Sequence, residues 1–427
     1  MPNSKRIVLS TFGSLGDLHP YLAIALELKA MGHLPVLATS GFYREKVEDL
    51  GLDFFSVRPD VTDFHDDRGK LMAEAMHPVK GPEFVIRKGM MPHLDATFAD
   101  LKAACEGADL LVSHPLTFPA PLLHELSGIP WASTVLAPVS LFSCTDPPLL
   151  GPVTWLAGLY TKAPNVYSLL FNMGKRLFWP WVRPVQELRE RLGLPPSKLH
   201  PLFEGQHSPA LVLALFSEAL APPQPDWPAA TLQTGFCMLP ESSEPPFDEP
   251  LEAFLEAGDP PLVFTLGSAA VMSPGRFFHE SLRAAELLGM RAVFLTGRDQ
   301  EPPFPEGLPQ WALAVEYASF SRLFPQAALI VHQAGIGTTG QVMLSGRPSL
   351  AVPFSHDQPD NARRLERIEA ARVLPITRYR ADQAARNIVG ALASCSEAAS
   401  ALPCRVLKEG GARKAAQALI DVLNKQG

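Results

Sequence analysis

Two glycine-rich loops, each directly behind an apolar run, carry the residues of this chain best suited to chemistry. The first is Gly13-Ser14-Leu15-Gly16-Asp17-Leu18-His19-Pro20, behind Arg6–Phe12; the second is His332-Gln333-Ala334-Gly335-Ile336-Gly337-Thr338-Thr339-Gly340-Gln341, behind Leu329–Val331. Small residues at a strand-to-helix turn let backbone N–H groups and a helix N-terminus point at an anion, so such loops suit phosphate. The second loop adds an imidazole and two hydroxyls, which together can hold a diphosphate without the lysine of a P-loop. A plain tight turn needs the same small residues, and the segment downstream tips the balance. After the next apolar run comes Val352-Pro353-Phe354-Ser355-His356-Asp357-Gln358-Pro359-Asp360-Asn361-Ala362, on the side of an open α/β sheet where ligands bind. Asp357 and Gln358 are suited to sugar hydroxyls, since a carboxylate accepts from two of them and an amide both donates and accepts.

These loops need a scaffold, and the chain is long enough for one. Its 427 residues suggest two or three domains. With 47% apolar and 19% charged residues the composition is that of a folded globular protein. A net charge of −7 gives no electrostatic reason to bind nucleic acid. The five cysteines are widely separated and form no C-x-x-C pair, so neither a zinc site nor a disulfide framework is indicated. Strand-like runs at Arg6–Phe12 and His33–Ala38 flank a helix over Pro20–Gly32, and a second helical stretch runs from Gly41 to Gly51, which makes a βαβ unit and implies a parallel sheet. Further strands are predicted at Asp109–Ser113, Trp131–Leu136 and Ala210–Phe216. Pro222–Pro228 and Glu244–Phe247 have the composition of a semi-rigid linker among the chain's 43 prolines. Beyond them the alternation restarts, with strands at Pro261–Leu266, Arg291–Leu295, Leu329–His332 and Ser349–Pro353. The expected organisation is a first α/β domain over residues 1–221, a linker over 222–250, a second α/β domain over 251–409 and a closing helix over 410–427.

The combination resembles the UDP-glycosyltransferase superfamily, inverting glycosyltransferases of the GT-B fold, with two Rossmann-like parallel-sheet domains facing across a cleft. The resemblance covers essentially the whole chain. Gly13–Pro20 looks like the family's N-terminal G-[ST]-x-G-D-x-x-P loop, and Tyr317 through Ala362 looks like its donor signature; in detail it is similar to bacterial members such as the rhamnolipid rhamnosyltransferases and to sterol and natural-product glycosyltransferases. The resemblance implies a nucleotide-sugar donor whose diphosphate lies against His332, Gly335, Gly337, Thr338 and Thr339, with Ser268, Ser14 and Gly16 opposite and Asp357 and Gln358 on the sugar. Plant-type spacing aligns the binding histidine with Gln333 instead, and both registers stand open. Tyr317 stands near a position where many relatives place a tryptophan under the nucleobase, and Gln341 where plant members have a glutamate on the ribose. Asp17 matches the position of the family's general base, with His19 as a rival. His114, in Val112-Ser113-His114-Pro115, ends a strand near where plant members place a supporting aspartate, so Asp17 and His114 form a candidate dyad with its members exchanged.

The implied reaction moves a hexose from UDP-glucose or a dTDP- or UDP-linked rhamnose to a hydroxyl of an apolar small molecule: a polyphenol, a sterol or terpenoid, or a hydroxy-lipid. Phe84, Phe118, Phe142, Trp155, Tyr160, Phe171 and Trp179 supply apolar surface in the first domain. The excess between Pro138 and Trp181 suits a pocket wall or contact with a membrane surface. No cofactor or metal is expected, because no D-x-D motif ends a strand. The start of the chain lacks the apolar core of a secretory signal, and no window reaches about 18 uninterrupted apolar residues, which points to the cytoplasm. Two other readings are a non-catalytic relative that binds a nucleotide sugar and a nucleotide-dependent oxidoreductase. The second lacks the third glycine of G-x-G-x-x-G and an acidic residue after Ala38. In the family the closing helix crosses back onto the first domain as part of a hinge, so its removal is expected to loosen the domains without unfolding either sheet.

Overall fold

The computed structural model describes residues 4–60, 74–149, 158–160, 162–243, 245–298 and 303–426; Trp155 lies outside them. Among the described residues, thirteen strands form two wholly parallel sheets. The first contains β1 (Arg6–Ser10), β2 (Leu34–Thr39), β3 (Asp53–Ser56), β4 (Leu110–Ser113), β5 (Trp131–Val135), β6 (Val212–Ala214) and β7 (Thr231–Gln233), in the order β3-β2-β1-β4-β5-β6-β7. The second contains β8 (Leu262–Thr265), β9 (Ala292–Leu295), β10 (Ala312–Val315), β11 (Leu329–His332), β12 (Ser349–Ala351) and β13 (Ala371–Val373), in the order β10-β9-β8-β11-β12-β13. In each sheet the order reverses direction beside its first strand. At such a switch point the loops leaving neighbouring strands diverge and open a crevice for a ligand.

The sheets are covered on both faces, which is why their inner strands are buried and mostly apolar. On the first sheet, one core joins Ile7, Leu9 and Leu37 to Tyr21, Ile24 and Leu28 of the helix Leu15–Ala30, and the opposite core joins Val8, Val36 and Leu111 to the helices Leu94–Ala104, Pro119–Ser127 and Trp179–Arg191. The second sheet packs Leu262, Phe264 and Phe294 against the helices Phe277–Leu288 and Ala381–Ser394. A further apolar cluster spans both halves, bringing Val135, Val212 and Phe216 together with Met343, Leu365 and Leu402.

Two expectations are corrected. The helix after the first loop begins at Leu15, five residues ahead of Pro20, because Ser14 caps it in a reciprocal arrangement with Asp17. The boundary near residue 221 also moves. Thr231–Gln233 pairs with β6, so Pro222–Pro228 is a connection inside the first domain and not the link between sheets. The chain leaves the first domain after Gln233 and returns at Glu409–Gly411, where the Gly411 N–H donates to Thr234 O (2.8 Å) and Lys414 Nζ to Gln233 O (2.8 Å). Gly411 has φ +51°, and a Cβ there would lie 2.6 Å from Phe236 O, so the two crossings abut with no room for a side chain. The helix Gly411–Gln426 then packs on Leu15–Ala30, burying Ala415, Ala416, Leu419 and Val422 in the first domain's core.

Candidate active site

Asp17 is the third residue of its helix, and its carboxylate turns back over the loop. Oδ2 accepts from Ser14 N (2.7 Å) and Ser14 Oγ (3.1 Å), and Ser14 Oγ accepts from Gly16 N (3.3 Å). This fold-back requires Gly13: its φ is +129°, and a Cβ would fall 2.3 Å from Asp17 Oδ2. Oδ1 faces His114 Nε2 at 3.4 Å, across the β1–β4 switch point. The Leu116 N–H donates to His114 Nδ1 (3.1 Å), which places a ring proton on Nε2, aimed at Asp17. His114 is 7% exposed and Asp17 32%, so the carboxylate is the reachable member of the pair. Pro20 has no N–H to offer the Gly16 carbonyl one turn back.

His19 lies two positions beyond Asp17, on another side of the helix. Its Nε2 is buried without a partner, and burial, then Lys46, lower its pKa to about 3. It is a neutral ring outside the pair formed by Asp17 and His114.

The second loop stands directly against the first: a Cβ on Gly337 would meet Gly16 Cα at 3.6 Å. His332 and Gln333 part company here. His332 ends β11 fully buried, its Nδ1 accepting from Ala334 N (3.2 Å) and burial lowering its pKa to about 3. Gln333 Nε2 donates to Thr338 Oγ1 (3.2 Å) and occupies the space over Gly267, where a Cβ would be 2.2 Å away, while its Oε1 is buried without a partner. Gln333 therefore bridges the β8 and β11 loops, with Ser268 exposed beside it and Gly335 next in the turn. Thr339 is fully buried with its hydroxyl unpartnered, so it and His332 stand in the wall behind the loop.

Asp357 and Gln358 begin the helix Gln358–Arg367 and brace these loops from the other side. Asp357 Oδ2 accepts from Ile336 N (3.2 Å) and Asn361 Nδ2 (2.6 Å). Burial raises its pKa to about 6, and Asp17 across the cleft adds to the rise. Gln358 Oε1 accepts from Phe354 N (2.8 Å) and Ser355 N (3.2 Å), which leaves its NH₂ as the available donor. Motif spacing singled out Asp357 and Gln358 but gave no role to Asn361, whose Nδ2 also donates to Ala334 O (3.0 Å). Ala334 has φ +64°, a left-handed conformation that a Cβ disfavours, and His332 and Asn361 clamp its N–H and C=O. Its sequence signal was an alanine in a glycine loop with no second glycine beside it.

The remaining residues frame the cleft. Tyr317, half-buried behind β10, has the Arg298 guanidinium 4.8 Å from its ring centroid. His356 Nε2 bonds Ala75 O (2.8 Å), tying the second domain's loop to the first domain. Asp146, in the loop after Phe142, binds Arg364 and also Arg367 (2.9 Å), and Asp360 holds Arg364 (2.7 Å) and the Leu149 N–H (2.8 Å). Of the expected acceptor-side aromatics, Phe118 and Phe171 are buried, Phe142 packs edge-on against Phe203 (4.7 Å) and Trp179 lies 4.5 Å from His200.

No protein-family model matches the chain. Individual relatives do. The chain is 33% identical over 399 residues to O-mycaminosyltylonolide 6-deoxyallosyltransferase from Streptomyces fradiae, covering 90% of this chain and 89% of the relative. It is 28% identical over 430 residues to glycosyltransferase GtfC from Amycolatopsis orientalis, covering 99% and 98%. It is 26% identical over 387 residues to a sterol 3-beta-glucosyltransferase from Neurospora crassa, of which it spans only 24%. Among solved structures, the glycotransferase of kitacinnamycin superposes with a TM-score of 0.71 at 21% identity, over 99% of this chain and 100% of that one. Glycosyltransferase VinC in complex with dTDP gives 0.67 at 18% identity, over 98% and 100%. At those identities the two structures speak for the two-sheet fold.

Proposed function

The chain belongs to the UDP-glycosyltransferase superfamily of GT-B enzymes, and from that premise we propose that it is an inverting transferase using Asp17 as general base. The donor class is a nucleotide diphosphate hexose, UDP-glucose or a dTDP- or UDP-linked rhamnose. The acceptor class is an apolar hydroxylated small molecule, a polyphenol, a sterol or terpenoid, or a hydroxy-lipid. A relative named for moving a 6-deoxyallosyl group, others named for sterol glucosylation and a neighbour holding dTDP support these classes.

The observation that carries the reading is the Asp17–His114 pair facing the second domain's loops. The acceptor oxygen attacks the anomeric carbon, its proton passes to the Asp17 carboxylate, and the bond from that carbon to the diphosphate oxygen breaks, inverting the configuration. His114 positions Asp17 through its Nε2 proton. The leaving diphosphate meets the N-terminal N–H groups of the helix Ile336–Ser345 beyond Ile336, whose own N–H is held by Asp357, together with the Thr338 hydroxyl and Gln333, a set of donors that stabilises developing charge without a metal. Gln358 and Asp357 hold the sugar, and Tyr317 underlies the base. A relative that only binds nucleotide sugars has no use for a carboxylate oriented by three donors at the cleft.

The test is nucleotide release from the nucleotide sugar with and without a phenolic acceptor, in excess EDTA, for the wild type and Asp17→Asn. Turnover should persist in EDTA and fall about 10²–10⁴-fold in the variant while calorimetric donor affinity stays the same. A variant that keeps more than about a tenth of wild-type turnover overturns Asp17 as base, and turnover that magnesium restores overturns the metal-free departure.

A further inference from the structure

The helix Pro164–Lys175 and the turn Arg176–Phe178 are apolar on two sides. Tyr167 and Phe171 bury one side, stacked on each other at 5.7 Å between centroids. On another side, Val166, Leu169, Leu170, Met173 and Leu177 are 48%, 61%, 41%, 56% and 77% exposed. At ~100° per residue these five fall in one stripe along the helix, a regular amphipathic face that no other described residue covers. Scattered apolar residues on a surface need no explanation, whereas an aligned row of this kind marks a contact.

Charge selects the occupant. No aspartate or glutamate occurs from Pro147 to Gln186, although the whole chain carries a net −7, while Lys162, Lys175, Arg176 and Arg183 fall in the same stretch. Lys175 and Arg183 are engaged by Glu204 (2.6 Å) and Glu187 (2.8 Å), and Lys162 and Arg176 are exposed at the ends of the stripe. A protein partner normally meets a rim of mixed polarity. An apolar row on a segment whose own charges are all cations, with Lys162 and Arg176 exposed at its ends, fits a bilayer surface carrying anionic headgroups, where the apolar side chains enter the acyl boundary and these cations meet phosphates. No helix among the described residues is long and apolar enough to cross a membrane, so the contact is along the surface.

We propose that the exposed face of residues 166–177 docks the enzyme onto anionic membrane surfaces. Docking requires neither donor nor acceptor, so its failure and the failure of the transfer reaction are separately visible. The experiment is flotation of the full chain with vesicles of phosphatidylcholine alone or with about a third phosphatidylglycerol, for the wild type, Leu169→Asp, Leu177→Asp and Arg176→Glu, with light scattering and turnover on a soluble phenolic acceptor in parallel. The wild type should float with the anionic vesicles and be released by high salt. Each leucine variant should lose at least roughly tenfold in partitioning, Arg176→Glu should lose binding to anionic vesicles, and all should keep soluble-substrate turnover. Wild-type protein that ignores anionic vesicles, or variants that bind them as well as it does, overturns the proposal. A wild-type dimer that Leu169→Asp makes monomeric also overturns it and assigns the face to a second copy.

Discussion

Gln333 and His332 are neighbours with opposite surroundings, and that difference decides what each contributes. Gln333 spans two loops of the candidate donor site, and His332 is sealed behind them. Gln333→Ala should weaken donor binding about tenfold, the net worth of one or two hydrogen bonds. His332→Ala should instead cost about 1–3 kcal/mol of stability, because it opens a cavity and frees the Ala334 N–H. Calorimetry with denaturant unfolding separates the two, and a stable His332→Ala protein with lost donor affinity reverses the assignment. The sequence left both registers open for a physical reason. β11 is buried on both faces, so its apolar pattern does not say where the strand ends and the ligand-facing loop begins. Asp357 yields a pH prediction. Its pKa is raised from 3.8 to about 6, so the folded protein holds this proton more tightly than the unfolded one. That contribution to stability is full below 3.8 and is lost as the pH rises through about 6. Asp357→Asn has no such proton to lose, and its melting temperature relative to wild type should climb between pH 4 and pH 7. A constant offset across that range contradicts the shift.

Nine strands were legible in the sequence, and they are the nine interior strands of the two sheets. The four that were missed, β3, β7, β10 and β13, are the four edges. An interior strand of a covered parallel sheet is mostly apolar on both faces and reads as a run, whereas three of the four edge strands carry charged or polar residues that break the run. Asp53-Phe54-Phe55-Ser56 and Thr231-Leu232-Gln233 show this, and the second hides among prolines that suggest a linker. The loops were legible as candidates because small residues and Asp-Gln pairs stand out. Their bracing was not, since the Asn361 contact with Ala334 crosses from the first turn of the helix Gln358–Arg367 to the loop after β11. Asn361→Ala should cost about 1–3 kcal/mol in denaturant unfolding by leaving the Ala334 carbonyl unpartnered, and should weaken donor binding as the loop relaxes. An unchanged unfolding midpoint would mean that the helix starts alone hold the turn.

Across the whole molecule, the two sheets meet through a shared apolar cluster, the Asp146–Arg364–Asp360 ion pairs and two abutting chain crossings. The chain crosses between the sheets at Thr234–Phe236 and Glu409–Gly411, not in the prolines at 222–228, so a movement that closed the cleft over a donor would pivot there. The last helix does more than serve that pivot. Removing residues beyond Lys408 strips Leu419, Val422, Ala415 and Ala416 from the first domain's core, at ~1.5–3 kcal/mol for each large side chain against a total stability of roughly 5–15. The truncated chain should therefore melt far lower and be cut by protease within the first sheet, rather than merely loosen as the sequence suggested. Wild-type melting of that truncation would contradict the packing. In covalent terms the second domain is thus an insertion into the first, entered after Gln233 and left before Gly411. Recombining this scaffold to change its donor therefore takes two seams, one at each crossing. A single-junction chimera would give the first domain a foreign final helix and ask its core to fit side chains it was never packed against.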